Sequence, residues 1–151
     1  MRNWHFNHID FSTYPHYAGD DLGVFWTSLR TSFRIWAPTA SQVELRLYND
    51  GENGRPVKII EMSKGDLGTW HHIEPGNLVN WFYTYRVNDE GWLQEHPGPY
   101  AHAVGVNGMR GMIVDLASTN PSGWETDRGP ALLNFTDWII YELHVRDFSI
   151  A

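Results

Sequence analysis

The residues best suited to acid–base chemistry lie close together near the C-terminal end, in Tyr141-Glu-Leu-His-Val-Arg-Asp-Phe148. Two carboxylates there, Glu142 and Asp147, invite pairing as acid and nucleophile. Trp138 to Val145 is, however, a nearly continuous apolar and β-branched run, which predicts a strand. On a strand, residues five apart point to opposite faces and stand roughly 16 Å apart. Such a pair cannot flank one scissile bond, so the expected role of Glu142 and Asp147 is ion pairing and hydrogen bonding. His71 and His72 are adjacent, so on a strand they face opposite ways and cannot share an ion. Asp50-Gly-Glu-Asn-Gly54 lacks the spacing of acidic ligands in an EF-hand loop and reads as a solvated turn. No metal and no cofactor is expected. Asn134-Phe-Thr136 meets the glycosylation pattern and is read as a chance match.

The elements that position these residues are short strands between turn clusters. Ser32 to Trp36 is one. In Gln42 to Tyr48, Val43, Leu45 and Leu47 share a face opposite Glu44 and Arg46. A glycine-rich loop, Asn49 to Pro56, breaks pairing. Val57 to Met62 and Thr69 to Ile73 follow, then Trp81 to Val87, the clearest of the set. Asn88-Asp-Glu-Gly91 predicts a hairpin connection to Trp92 to Gln94, and Met112 to Leu116 is a last short strand. This spacing predicts an all-β, immunoglobulin-like antiparallel β-sandwich over residues 27–116. Before it lies an N-terminal arm, 1–26, and after it a linker, 117–136. The terminal segment, 137–151, is apolar enough to be buried on both faces, as in a parallel sheet. Its pairing partner would lie beyond the chain, so an exposed edge prone to self-association is expected.

Composition narrows the partners. Lys plus Arg is 11 against 18 Asp plus Glu, a net charge of −7. No basic cluster exists to recruit nucleic acid or an anionic membrane. There is no cysteine, so no disulfide framework and no thiolate metal site. No signal core or membrane span is visible. A soluble protein is expected, cytoplasmic or exported with its signal removed. Eight tryptophans are many for 151 residues. Large rings are core material first and sugar platforms second.

Seven segments in order resemble the N-terminal region of type I pullulanases, members of the α-amylase family of glycoside hydrolases. They are Tyr17-Ala-Gly-Asp-Asp-Leu-Gly23, Phe33-Arg-Ile-Trp-Ala-Pro-Thr-Ala40, Tyr83-Thr-Tyr-Arg-Val87, Pro99 to Gly108, Arg110-Gly-Met-Ile-Val-Asp115, Asn120-Pro-Ser-Gly-Trp124 and Tyr141 to Ser149. The middle ones are similar to carbohydrate-binding module family 48, and the last is similar to the first strand of a (β/α)8 catalytic barrel. Gly98 stands where the family usually carries Asp before Pro-Tyr. A whole barrel needs roughly 250 residues, so the resemblance implies a non-catalytic front part of a larger debranching enzyme. That family hydrolyses α-1,6 linkages with two carboxylates about 5 Å apart; they sit on later barrel strands, and no residue of this chain is expected to be catalytic.

The resemblance also supplies candidate sites. Trp92 matches a Trp that stacks glucan in binding members of the family, and Trp70 is the second carbohydrate-binding candidate. Those members tend to carry Lys where Thr84 stands and another Trp near Asn49 to Gly51; both are missing. Weak binding of α-glucan (starch, pullulan or glycogen) is expected, since one stacked ring contributes about 1 kcal/mol against an association cost of several. Tyr100, Tyr141 and His144 are expected to pack against the catalytic barrel, supplied in cis. The alternatives are a stand-alone α-glucan-binding module and a generic immunoglobulin-like interaction domain.

Overall fold

A computed structural model of the chain describes residues 10–88 and 95–150. Among the described residues, eight strands form two four-stranded antiparallel sheets. They are β1 (Gly23–Trp26), β2 (Arg30–Trp36), β3 (Val43–Tyr48), β4 (Lys58–Glu61), β5 (Ser63–Lys64), β6 (Thr69–Pro75), β7 (Phe82–Val87) and β8 (Gly111–Met112). The first sheet runs β1-β2-β6-β5 and the second β4-β3-β7-β8. All eight lie in one compact unit, residues 1–118.

Alternation explains the sandwich. Thr31, Phe33 and Ile35 of β2 point inward from the first sheet, and Val43, Leu45 and Leu47 of β3 point inward from the second. Each such Leu, Ile or Phe contributes roughly 1.5–3 kcal/mol by leaving water. A ring contact joins the layers: Phe33 of β2 meets Tyr83 of β7 edge-on at 5.6 Å between centroids, and Tyr83 meets Tyr85 of its own strand likewise at 5.5 Å. The register pairs Ile35 with Trp70, Phe33 with His72 and Thr31 with Glu74. The residues of β6 that face inward are therefore Trp70, His72 and Glu74. His71 faces the other way, as adjacent strand positions must.

Three differences from the sequence reading have physical causes. The first sheet begins at Gly23, inside the segment read as an arm, because Val24 is buried and pairs with Phe33. The two-residue β5 stands between the expected strands Val57 to Met62 and Thr69 to Ile73, where no strand was expected; so short an edge strand carries almost no periodic signal. Met112 to Leu116 is a strand only at Gly111–Met112, and Leu116–Thr119 is a 3-10 turn. The expected hairpin and the strand Trp92 to Gln94 fall largely on residues 89–94, outside the described residues.

The second unit, residues 119–151, has its own local structure. The expected strand Trp138 to Val145 does not form. A strand exists through its ladder, and among the described residues none runs beside 138–144. The chain instead turns into the short helix α1 (Val145–Ser149), with the backbone N–H of Asp147 donating to His144 Nδ1 at 3.3 Å. Its apolar side chains are nevertheless exposed: Phe135, Ile139, Ile140 and Tyr141 all face solvent.

Candidate functional site

Two regions of the sandwich gather functional chemistry. The first is the outer face of the second sheet, where Arg46 of β3 pairs with Thr84 of β7 and Tyr48 with Phe82. Strand alternation places Arg46, Tyr48 and Thr84 on this face. The carboxylate of Glu95 lies over them. It accepts from the Tyr48 hydroxyl and the Arg46 guanidinium, and from Thr84 Oγ1 at 3.1 Å. Arg46 Nη2 is also bound to Glu44 Oε2 at 2.9 Å. Burial opposes ionisation of Glu95, but these donors outweigh it and hold its carboxyl below the usual range. Arg110 seals the other side of Tyr48, its guanidinium carbon 3.6 Å from the ring centroid. That guanidinium donates to the carbonyls of Asp50, Asn53 and Gly54 at 2.7, 2.7 and 2.9 Å. The loop that superficially resembled an ion site thus spends its carbonyls on an arginine. Tyr48 and Thr84 are buried, so neither offers a surface to a ligand.

The second region is a cleft of about 510 Å³ at the margin of the sandwich. Tyr17 and His16 come from the segment before β1, Trp36 from the end of β2, and His96, Pro99 and Tyr100 from the segment after residue 94. The Tyr17 hydroxyl donates to the Asp21 carboxylate, and Asp21 is held by Arg34 Nε at 3.0 Å. The indole Nε1 of Trp36 donates to the carbonyls of Pro15 and Leu67 at 3.2 and 3.0 Å. Both rings are fixed by their polar edges. Trp36 is 39% exposed and Tyr100 49%.

Beneath the cleft is a chamber of about 10 Å³ that shares Ile35, Gly98, Pro99 and Tyr100 with it. Tyr85 lines this chamber, and its hydroxyl is buried without a hydrogen-bond partner among the described residues. Burial, reinforced by Tyr83, pushes the Tyr85 phenol well above its ordinary pKa, so it stays a neutral donor. Gly98 adopts φ +82°, and a Cβ there would sit 3.3 Å from Tyr85 Cε2. The residue that departs from the family pattern is therefore a turn residue whose missing side chain leaves room beside Tyr85.

The sequence candidates fare unequally. Trp70 is a correction: it is 5% exposed, with its indole Nε1 donating to the carbonyl of Ala37 at 3.2 Å. It is core, because its strand register turns it inward beside Ile35, and it presents no sugar platform. Trp92 lies outside the described residues. Tyr100 lines the cleft, while Tyr141 is exposed in the second unit and His144 caps α1. Among the described residues, no group of three His, Asp or Glu could hold a metal ion. No helix there is long and apolar enough to cross a membrane. Sequence reasoning passed over Glu95, whose partners come from two strands distant in sequence, and Tyr85, whose open hydroxyl no local pattern reveals. Tyr48 did leave a signal, being a second consecutive large residue at the end of an alternating strand.

Two antiparallel sheets sharing one core define an immunoglobulin-like β-sandwich. Residues 21–101 match carbohydrate-binding module 48 (isoamylase N-terminal domain). The chain belongs to this family. Among solved structures it is similar to a pullulanase from Paenibacillus barengoltzii complexed with maltohexaose and α-cyclodextrin. That likeness has a TM-score of 0.82 and 49% identity, over 89% of this chain and 21% of that one. Pullulanase from Bacillus acidopullulyticus gives a TM-score of 0.81 and 50% identity, over 92% of this chain and 17% of that one. Pullulanase 1, chloroplastic, of Arabidopsis thaliana is 32% identical, over 85% of this chain and 14% of its own length. The chain thus spans about a fifth or less of the pullulanases named here.

Proposed function

We propose that the chain is the N-terminal, non-catalytic region of a pullulanase-type enzyme that hydrolyses α-1,6 linkages in starch-like glucans. Its sandwich packs against the catalytic barrel and binds α-glucan weakly. One observation carries this reading: the likeness to pullulanases does not stop where the family match ends, at residue 101, but covers 89–92% of the chain at about half identity. The exposed apolar residues of the second unit, Tyr141 among them, support it, since contiguous exposed apolar surface marks an interaction site. In this reading Trp138 to Val145 becomes a barrel strand when its neighbours are present, and His144 and Tyr141 pack there.

Weak binding follows from the outer face. Glu95 occupies the space over Thr84, the position where binding members tend to carry Lys, and Trp92 is left without those partners. Two measurements test the proposal. Mobility in native gels containing amylopectin or pullulan should be modestly retarded, and Trp92→Ala should lessen the retardation without abolishing it. A catalytic region of the Bacillus acidopullulyticus type, expressed without its own N-terminal region, should be recovered with this chain and gain stability from it. Failure of both would end the proposal; strong retardation without recovery would favour a stand-alone glucan-binding module.

A further inference from the structure

The cleft at Trp36 and Tyr100 carries chemistry that the outer sheet face lacks. A buried hydroxyl with no partner costs about 1–3 kcal/mol, and such groups are rare unless water or a ligand completes them. The Tyr85 hydroxyl is one, and the Tyr85 side chain lines a chamber of about 10 Å³. Roughly that volume is what a single water-sized group requires. His96 adds a second donor. Its Nδ1 accepts from the backbone N–H of Gly98 at 3.2 Å, which assigns the ring proton to Nε2. Burial lowers its pKa, so the ring stays neutral, and Nε2–H makes no hydrogen bond among the described residues. Around these donors stand the half-exposed rings of Trp36 and Tyr100.

We propose that this cleft is a second carbohydrate site, taking one glucose residue of an α-glucan. The apolar face of the pyranose lies on the rings, and its hydroxymethyl oxygen enters the chamber to accept from Tyr85. A ring hydroxyl accepts from His96 Nε2–H. A sugar meets both features at once: its apolar face covers the rings while its hydroxyl oxygens accept from the two donors. The site rests on the α-glucan reading above but does not include Trp92.

The test is calorimetric titration of the full chain with maltohexaose, first unaltered, then with Trp92→Ala to remove the other carbohydrate-binding candidate. One-to-one binding should persist in Trp92→Ala. Adding Tyr85→Phe, which keeps the ring and removes only the hydroxyl, should weaken that binding about three- to tenfold without lowering the unfolding temperature. Adding Tyr100→Ala instead should weaken it by about the same factor. Complete loss of binding in Trp92→Ala overturns the cleft site and leaves the glucan reading standing. No binding by the unaltered chain overturns both. Binding indifferent to Tyr100→Ala overturns the site and returns the cleft to packing against the barrel. Indifference to Tyr85→Phe overturns it too, leaving the chamber with a trapped water only.

Discussion

Glu74 ties the two sheets together, and removing its charge should cost more than any surface ion pair. Its carboxylate is 8% exposed on the inward face of β6. Oε1 lies 2.6 Å from Lys58 Nζ of β4 in the other sheet, and Oε2 lies 2.9 Å from His72 Nε2. Glu74→Gln preserves the shape but replaces two charged acceptor oxygens by one neutral amide oxygen, so Lys58 and His72 lose their charge-assisted bonds. A hydrogen bond to a charged group is worth about 1.5–3 kcal/mol. Lys58 is half exposed, so water screens its share, and the summed loss should be about 2–3 kcal/mol. Equilibrium urea unfolding followed by tryptophan fluorescence measures it, as a lower midpoint at unchanged slope. Combining Lys58→Met with Glu74→Leu should recover part of the loss, because no buried charge is then stranded. Burial disfavours the Glu74 anion, yet Lys58 and His72 outweigh it and depress its pKa below 4.5. Its stabilisation is therefore present above about pH 4.5 and lost as pH falls through the folded value; Glu74→Gln should flatten that acid limb. A loss under about 0.5 kcal/mol, or an acid limb of unchanged steepness, would refute the cross-sheet role.

Other predictions follow from single features. The depressed pKa of His96 means the unfolded chain takes up its proton first, so stability should fall as pH drops below about 6.5. His96→Asn, which keeps an acceptor for Gly98, should remove that slope between pH 6.5 and the carboxylate region in a pH series of thermal unfolding. Gly68 has φ +78°, and a Cβ there would lie 2.7 Å from Pro38 Cβ and 2.8 Å from its Cα. Gly68→Ala should therefore cost more than about 1 kcal/mol by chemical denaturation. The exposed run around Ile139 and Ile140 should drive concentration-dependent self-association, and the double change Ile139→Lys, Ile140→Lys should abolish it in sedimentation velocity.

Much of the sandwich was legible because its central strands alternate. Val43, Leu45 and Leu47 against Glu44 and Arg46 state both the strand and its buried face. Edges were harder to read: β1 and β5 take their identity from pairing with β2 and β6, and pairing is not a local property. Trp70 shows the limit for sites. A tryptophan in a sequence can be a platform or a core residue, and only the register of β6 against β2 decides between them. Trp138 to Val145 shows the same dependence from the other side. Its composition carries the content of a buried strand, yet hydrogen-bonded neighbours, not composition, make a strand.

The two candidate surfaces differ in what the chain has already used. On the outer sheet face, Tyr48 and Thr84 donate to Glu95, and Arg110 covers the Tyr48 ring, so the polar groups are satisfied internally. A sugar arriving there would have to displace bonds as good as those it could offer. In the cleft, the polar edges of Tyr17 and Trp36 are committed to Asp21 and to backbone carbonyls, which immobilises the rings in advance. The donors of Tyr85 and His96 remain open. Binding to such a preorganised surface loses little rotamer freedom, and the new bonds replace none within the protein. If this chain retains affinity for α-glucan, the cleft is where the free energy for it is available, and Tyr85→Phe is the change that reads it.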